Sequence, residues 1–128
     1  MNLLLDTHAL LWWLLGDTSL SSPARDAIGD TRNDILVSAA SAWEIATKVR
    51  IGKLPGAIAI AVDLTAAVET QGFVSLPVSF AHGQMAGALP GPHRDPFDRM
   101  LVAQAIGDAL ILVSNEQRLD AYGVRRLW

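Results

Sequence analysis

The sequence contains no cysteine, so disulfide staples, thiolate metal sites and thiol nucleophiles are excluded and stability has to come from packing. A reducing cytoplasm fits such a chain and is the expected location. Lysine is scarce, at positions 48 and 53 only, and the formal net charge is −3. Broad binding of phosphate backbones relies on many cations, so a histone-like mode is excluded and any nucleic-acid contact has to be local. Nowhere does the chain approach the roughly 18 unbroken apolar residues of a membrane span, and no membrane partner is expected. The apolar start MNLLLDTHALLWWLL lacks a basic leader and a small-residue cleavage site, and Asp6 and His8 interrupt it. It is therefore expected to be a strand and a helix rather than a targeting segment.

What is present is apolar. Of 128 residues, 51% are hydrophobic and 18% charged, enough for one core and too short for two domains, so residues 1–128 are expected to form a single domain. Residues 2–5 read as a strand and 7–15 as a helix carrying Trp12 and Trp13. Ser22 as N-cap, Pro23 at the first helical position and Gly29 near the end predict a short second helix. DILVSA reads as a strand, followed by a helix SAWEIATKVRIG that Gly52 and Pro55 stop; GAIAIAVDLTAAVETQG reads as one long helix ending at Gly72. FVSLPV is a strand closed by Pro77, Ser79 starts a helix, and ALPGPHRD is a loop loose enough to act as a flap. Residues 96–107 are helix, ALILVS a buried strand, NEQRLDAYG a last short helix and VRRLW an edge strand. Strands separated by helices require crossover connections, hence an α/β class: a three-layer α/β/α sandwich around a central, mainly parallel sheet.

In such a sheet the carboxyl ends of the strands share one edge, and ligands bind there near the reversal of strand order. Asp6 follows the first strand, Glu44 is expected in the first turn after the second, and Glu116 in the first turn after ALILVS. Asp98 opens the helix that feeds that last strand. Each has a purely structural role open to it. Asp6 can cap its helix; Ser41 with Glu44, and Ser114 with Gln117, match capping boxes; Glu44 can pair with Lys48 four residues on. Together, however, these carboxylates at one rim repel one another, and a divalent cation resolves the repulsion. Oxygen ligands without cysteine suit Mg²⁺ or Mn²⁺. His8, His82 and His93 have no zinc spacing and are expected on the surface or in helix packing.

The stretch HRDPFDRML concentrates charge around residue 95. Asp95 fits an N-cap, Pro96 the first helical position and Asp98 the third, where a carboxylate favours the helix dipole. Asp98 is expected to be a ligand; Asp95 is expected mainly to fix the helix start, with a supporting role in the pocket as the alternative. Thr7 can hold a water or a phosphate, or simply cap. Basic spots at Lys48, Arg50 and Lys53, at Arg94 and Arg99, and at Arg125 and Arg126 are either scattered surface charge or local phosphate contacts.

Four blocks, LLLDTHALLWWL, SAASAWEIATKVRIGKL, HRDPFDRMLVAQA and ILVSNEQRLDAYGV, in this order and spacing, resemble the PIN-domain ribonucleases, in particular the VapC-type toxins of bacterial toxin–antitoxin pairs. The resemblance spans nearly the whole chain. It implies Mg²⁺- or Mn²⁺-dependent hydrolysis of RNA phosphodiester bonds by a metal-activated water, a homodimer, and a small cognate antitoxin as partner. By position it makes Asp6, Glu44 and Asp98 the catalytic, metal-binding set. The fourth acidic position falls on Glu116, where family members often carry Asp, with Ser114 and Asn115 as the polar stretch beside it; Arg94 and Arg99 become the candidate RNA contacts. Four tryptophans in so small a domain are expected to be core or, with the apolar excess, dimer-interface residues. Two rivals share the fold class or the acidic rim. A phosphotransfer receiver or aspartyl-phosphate phosphatase wants a late lysine that this chain lacks, and a non-catalytic dimeric module would bind a partner's arginines at the same rim.

Overall fold

Three leucines, Leu3, Leu4 and Leu5, are wholly buried in the first strand, β1 (Asn2–Leu5). A strand buried on both faces is the mark of a parallel sheet covered by helices on either side. The computed structural model describes all residues 1–128. After β1 the chain forms α1 (Thr7–Leu15), α2 (Ser22–Gly29), β2 (Asp34–Ser38) and α3 (Ala39–Arg50). A 3-10 turn (Pro55–Ala57), α4 (Ile58–Ala61), α5 (Leu64–Thr70), β3 (Val74–Leu76), α6 (Phe80–Ala88) and α7 (Pro96–Gly107) follow. The chain ends with β4 (Ile111–Val113), a 3-10 turn (Gln117–Tyr122) and β5 (Arg126–Leu127).

All strand pairs are parallel, in the order β3-β2-β1-β4-β5. The chain runs outward from β1 through β2 to β3, then restarts on the other side of β1 with β4. The switch point therefore lies between β1 and β4, where Leu5 pairs with Val113. Alternation along β1 divides the core: Leu3 and Leu5 join Leu10, Ile28, Ile45 and Val68 on one face, and Leu4 joins Leu101, Val102, Leu112 and Leu119 on the other. This is the expected three-layer sandwich. No helix is long and apolar enough to cross a membrane.

Several local expectations are corrected. Ser21, not Ser22, caps α2, and Pro23 falls at the second helical position. Ser38 caps α3 by accepting from the Ala40 N–H, so that helix starts directly after the strand and Glu44 sits in its second turn; Ser41 and Glu44 form no capping box. The stretch predicted as one helix to Gly72 breaks at Asp63, whose carboxylate accepts from the Ala66 N–H and starts a new helix. A short polar side chain competing locally for backbone donors overrides the apolar pattern. The last short helix is a 3-10 turn capped by Glu116, and Ser114 bonds the Glu116 N–H instead of boxing with Gln117.

The end of α7 is closed by two reversed hydrogen bonds, Leu110 N–H to the Ala105 carbonyl (2.8 Å) and Ala109 N–H to the Ile106 carbonyl (3.4 Å). This closure needs a left-handed residue, usually glycine, and here it is Ala109, at φ 54° the sole non-glycine with positive φ. Ala109→Gly is expected to raise the urea midpoint by ~0.5–1 kcal/mol of stability, because relief of left-handed strain exceeds glycine's added freedom in the unfolded chain. An unchanged or lower midpoint would show that the turn carries no strain.

Candidate active site

The switch point places the end of β1 beside the end of β4, and Asp6 is the next residue. Its N–H donates to the Val113 carbonyl at 3.0 Å, continuing the sheet by one bond. Its Oδ1 accepts from the Ala9 N–H at 2.7 Å, capping α1. With only 5% of the residue exposed, burial pushes the carboxyl above its ordinary value, outweighing the Ser114 hydroxyl, the Ala9 N–H and the charge of His8; the charge of Asp98 pushes it further up.

Glu44 reaches the same pocket from α3 and is equally buried, at 4% exposure. Its Oε2 accepts from the Lys48 ammonium, the expected pairing one helical turn apart. Lys48 also lies over the Phe97 ring, 5.9 Å from the centroid, which ties the cation to the start of α7. Thr7 is not free to hold a ligand through its proton: Oγ1 donates to the Ser41 hydroxyl at 3.0 Å in a buried bond that pins α1 to α3.

Asp98 enters from α7. Asp95 caps that helix, its Oδ1 accepting from the N–H groups of Phe97 (2.9 Å) and Asp98 (3.3 Å), and so fixes the turn that aims Asp98. The Asp98 Oδ2 lies 2.9 Å from His93 Nε2. Burial raises the Asp98 carboxyl above its ordinary value against the pull of His93, and Asp95 and Glu44 add to the rise. Glu116 stands at the rim, bound by both oxygens to Arg118 at 2.9 Å each; that guanidinium holds its carboxyl down at about 2.

These side chains line one pocket of about 410 Å³, together with Thr7, Asp95, Asn115 and Arg118 and with a single apolar member, Trp12. All the acidic residues singled out in the sequence converge there. No group of three is drawn together as closely as a metal shell requires; Glu44 is turned onto Lys48, Asp98 onto His93 and Glu116 onto Arg118. The donor set nonetheless has the chemistry of a hard divalent cation site: oxygen donors only, and two carboxylates, Asp6 and Asp98, whose charged forms are disfavoured where they stand.

Arg94 and Arg99 are not in this pocket. Arg94 is exposed on the loop. Arg99, from α7, spends its guanidinium on the carbonyls of Ala86 (3.2 Å), His93 (3.1 Å) and Leu89. It is a loop anchor, and the segment expected to be a loose flap is tied down by it. His82 packs between helices, closing the cap of α6 through the Ser79 N–H at 3.0 Å and meeting Asp108 at 3.2 Å. Trp43 is exposed and edge-on to Phe97, ring centroids 5.0 Å apart. Sequence reasoning missed His93 and Arg118 as pocket residues. Their signals were a histidine five positions before Asp98 and an arginine two positions after Glu116.

A parallel α/β/α sandwich with an acidic pocket at its strand switch point defines the class of the protein. The chain belongs to the PIN-domain family, whose domain model matches residues 3–124. It is 30% identical over 123 residues to the ribonuclease VapC22 of Mycobacterium tuberculosis, covering 94% of this chain and 92% of that one. Among solved structures it is similar to VapBC2 from Rickettsia felis bound to a promoter DNA fragment (TM-score 0.71, 14% identity, 99% of this chain and 98% of that one). It is also similar to DNA-bound VapBC from Salmonella typhimurium (TM-score 0.69, 16% identity, 99% and 97%). At those identities the structural likeness shows the fold, and that fold with the PIN match sets aside the receiver and phosphatase reading.

The folded Asp6 carboxyl holds its proton more tightly than the unfolded chain does, so protonation favours the fold. Stability from this group grows as pH falls through the raised folded-state value and is lost as pH rises through it. Asp6→Asn keeps the cap acceptor. In EDTA it is expected to melt above wild type on the alkaline side of that raised value, with the gap closing as pH drops through it. A melting temperature below wild type across the alkaline range, or a gap that widens in acid, contradicts this account.

Proposed function

We propose that the chain is a metal-dependent endoribonuclease, a hydrolase of RNA phosphodiester bonds acting in the cytoplasm as the toxin of a type II toxin–antitoxin pair, restrained by a small cognate antitoxin. The observation that carries the reading is Asp6, a buried carboxylate with no cationic partner, set at the switch point in one pocket with Glu44 and Asp98. Kinship with a mycobacterial ribonuclease supports the activity, and likeness to VapBC structures supports the antitoxin.

Asp6, Glu44 and Asp98 would hold Mg²⁺ or Mn²⁺, with Glu116 joining from the rim. Such a cation polarises the phosphoryl oxygens and lowers the pKa of a water for in-line attack. The chain's own residues do the positioning. His93 orients the Asp98 carboxylate, Lys48 orients Glu44, and the Asp95 cap fixes the turn on which Asp98 stands. Arg118 offers a cation at the rim to an RNA backbone that the carboxylates alone would repel.

Purified protein given a mixed RNA pool with Mn²⁺ is expected to cleave it, and EDTA to stop cleavage. Asp98→Asn is expected to lose at least about 100-fold of the rate while still folding; Asp95→Asn, which caps equally well, is expected to keep most of it. Cleavage that survives EDTA or Asp98→Asn removes the metal-dependent reading. A folded wild type that cleaves nothing, yet binds an arginine-rich peptide at the pocket, leaves the non-catalytic interaction module.

The chain is also proposed to act as a homodimer. Phe80 is 94% exposed and Trp43 64% exposed, and Trp43 and Val78 line an apolar groove of about 400 Å³ between α3, α6 and α7. Apolar surface so gathered marks an interaction face. Light scattering at micromolar concentration is expected to give twice the 13.7 kDa chain mass; the monomer mass would contradict it.

A further inference from the structure

Beside the acidic pocket runs a second, larger groove of about 690 Å³, and the two share His93 and Arg118 as a common wall. We propose that this groove seats an unpaired nucleotide of the RNA substrate, the one adjoining the phosphate held at the acidic pocket. The inference rests on the ribonuclease reading and adds to it a substrate subsite.

Chemistry changes along the groove in the way a nucleotide does. At the shared wall stand a histidine and Arg118, whose side chain is 75% exposed and paired with Glu116; these suit a phosphate. Further out, Pro90, Pro92 and Tyr122 make an apolar, partly aromatic wall, with the small, exposed Ala121 at its side. These suit a base, whose flat face stacks on an aromatic ring whatever its identity. The volume lies within the roughly 300–1,000 Å³ typical of small-ligand sites. A base in a duplex has its faces covered by neighbours, so a stacking seat selects unpaired RNA.

The groove is also held in shape. Arg99 fixes the loop from beneath through the carbonyls of Ala86, Leu89 and His93. Gly91, at φ +100°, lets the loop close onto the Tyr122 ring: a Cβ there would stand 3.2 Å from Tyr122 Oη and 3.3 Å from Cε1. Tyr122 is the sole tyrosine of the chain. Its ring is thus braced on one side by backbone, while the groove remains open beside it. A braced ring loses little freedom when a base lands on it, which is what makes a pre-formed seat effective.

The test is steady-state cleavage of a short unstructured RNA by the full chain with Mn²⁺. Tyr122→Leu is expected to raise KM about tenfold with kcat little changed, and Tyr122→Phe, which keeps the ring, to restore the wild-type KM. Ala121→Glu alters an exposed position outside the core and sets a negative charge in the groove, so it is expected to raise KM while leaving the melting temperature unchanged. Wild-type cleavage with KM unaltered in both Tyr122→Leu and Ala121→Glu overturns the seat and leaves the ribonuclease intact. A fall in kcat alone, or a defect confined to binding a protein partner, also overturns it. A wild type that cleaves no RNA overturns the ribonuclease reading, and the seat with it.

Discussion

The Asp6 carboxylate is the point at which sheet, helix and pocket meet. Its backbone N–H extends the pairing of β1 with β4, its side chain starts α1, and its charge faces the switch-point pocket. A chain selected for stability alone would put an asparagine or serine there, since either caps a helix as well without a buried charge. The arrangement is paid for by the three leucines before it, wholly buried between two helical layers. A central parallel strand packed on both faces is the element least able to yield to the repulsion at its end.

The other carboxylates are managed differently. Glu44 has Lys48, Asp98 has His93 and Glu116 has Arg118, whereas Asp6 makes no ion pair. Each partner reaches its carboxylate from the same or an adjacent segment, so the pairs form wherever the local chain folds and need no distant contact. The consequence is a gradient: the rim carboxylate is held strongly ionised by an exposed guanidinium, while Asp6 and Asp98 inside have their charged forms disfavoured chiefly by burial. Charge in the pocket is therefore least satisfied at its floor, where a small cation would gain most.

The features legible in the sequence are those written in short-range patterns. Apolar runs identified β1, β2 and β4 as strands, and a residue directly after such a strand has its place fixed by topology, which is why Asp6 could be assigned to the edge; Glu44 was assigned there too, but through a first-turn position, and it stands one turn further along α3. Asp-Pro spacing located the start of α7 and hence Asp98. What escaped depends on competition or on reach. Ser38 and Ser41 are both able caps, and the choice of Ser38 was made by where β2 stops pairing, which no local signal states. Asp63 broke a helix that its apolar neighbours favoured. Arg99 and Arg118 have the same composition signal, but one side chain lies under a loop of free carbonyls and the other beside an acid two residues away.

That last contrast bears on how an acidic chain could handle a polyanion. With a net charge of −3 it has few cations to place, and several are committed elsewhere: Arg99 to carbonyls, Lys48 to Glu44, Arg126 to Asp120. A guanidinium bonded to neutral carbonyls is a structural tie, since its charge is spread into dipoles beneath the surface. A guanidinium bonded to a carboxylate that remains open to water is another matter, because the acid holds it in position without burying it, and solvent-exposed pairs of this kind contribute only about 0–1 kcal/mol. A phosphate or a cation arriving at the pocket therefore meets little resistance in parting Arg118 from Glu116. On the proposed ribonuclease reading, the rim pair would release a cation toward an RNA backbone and a carboxylate toward a divalent metal in one movement, which would give a practical role to the longer glutamate side chain at that position.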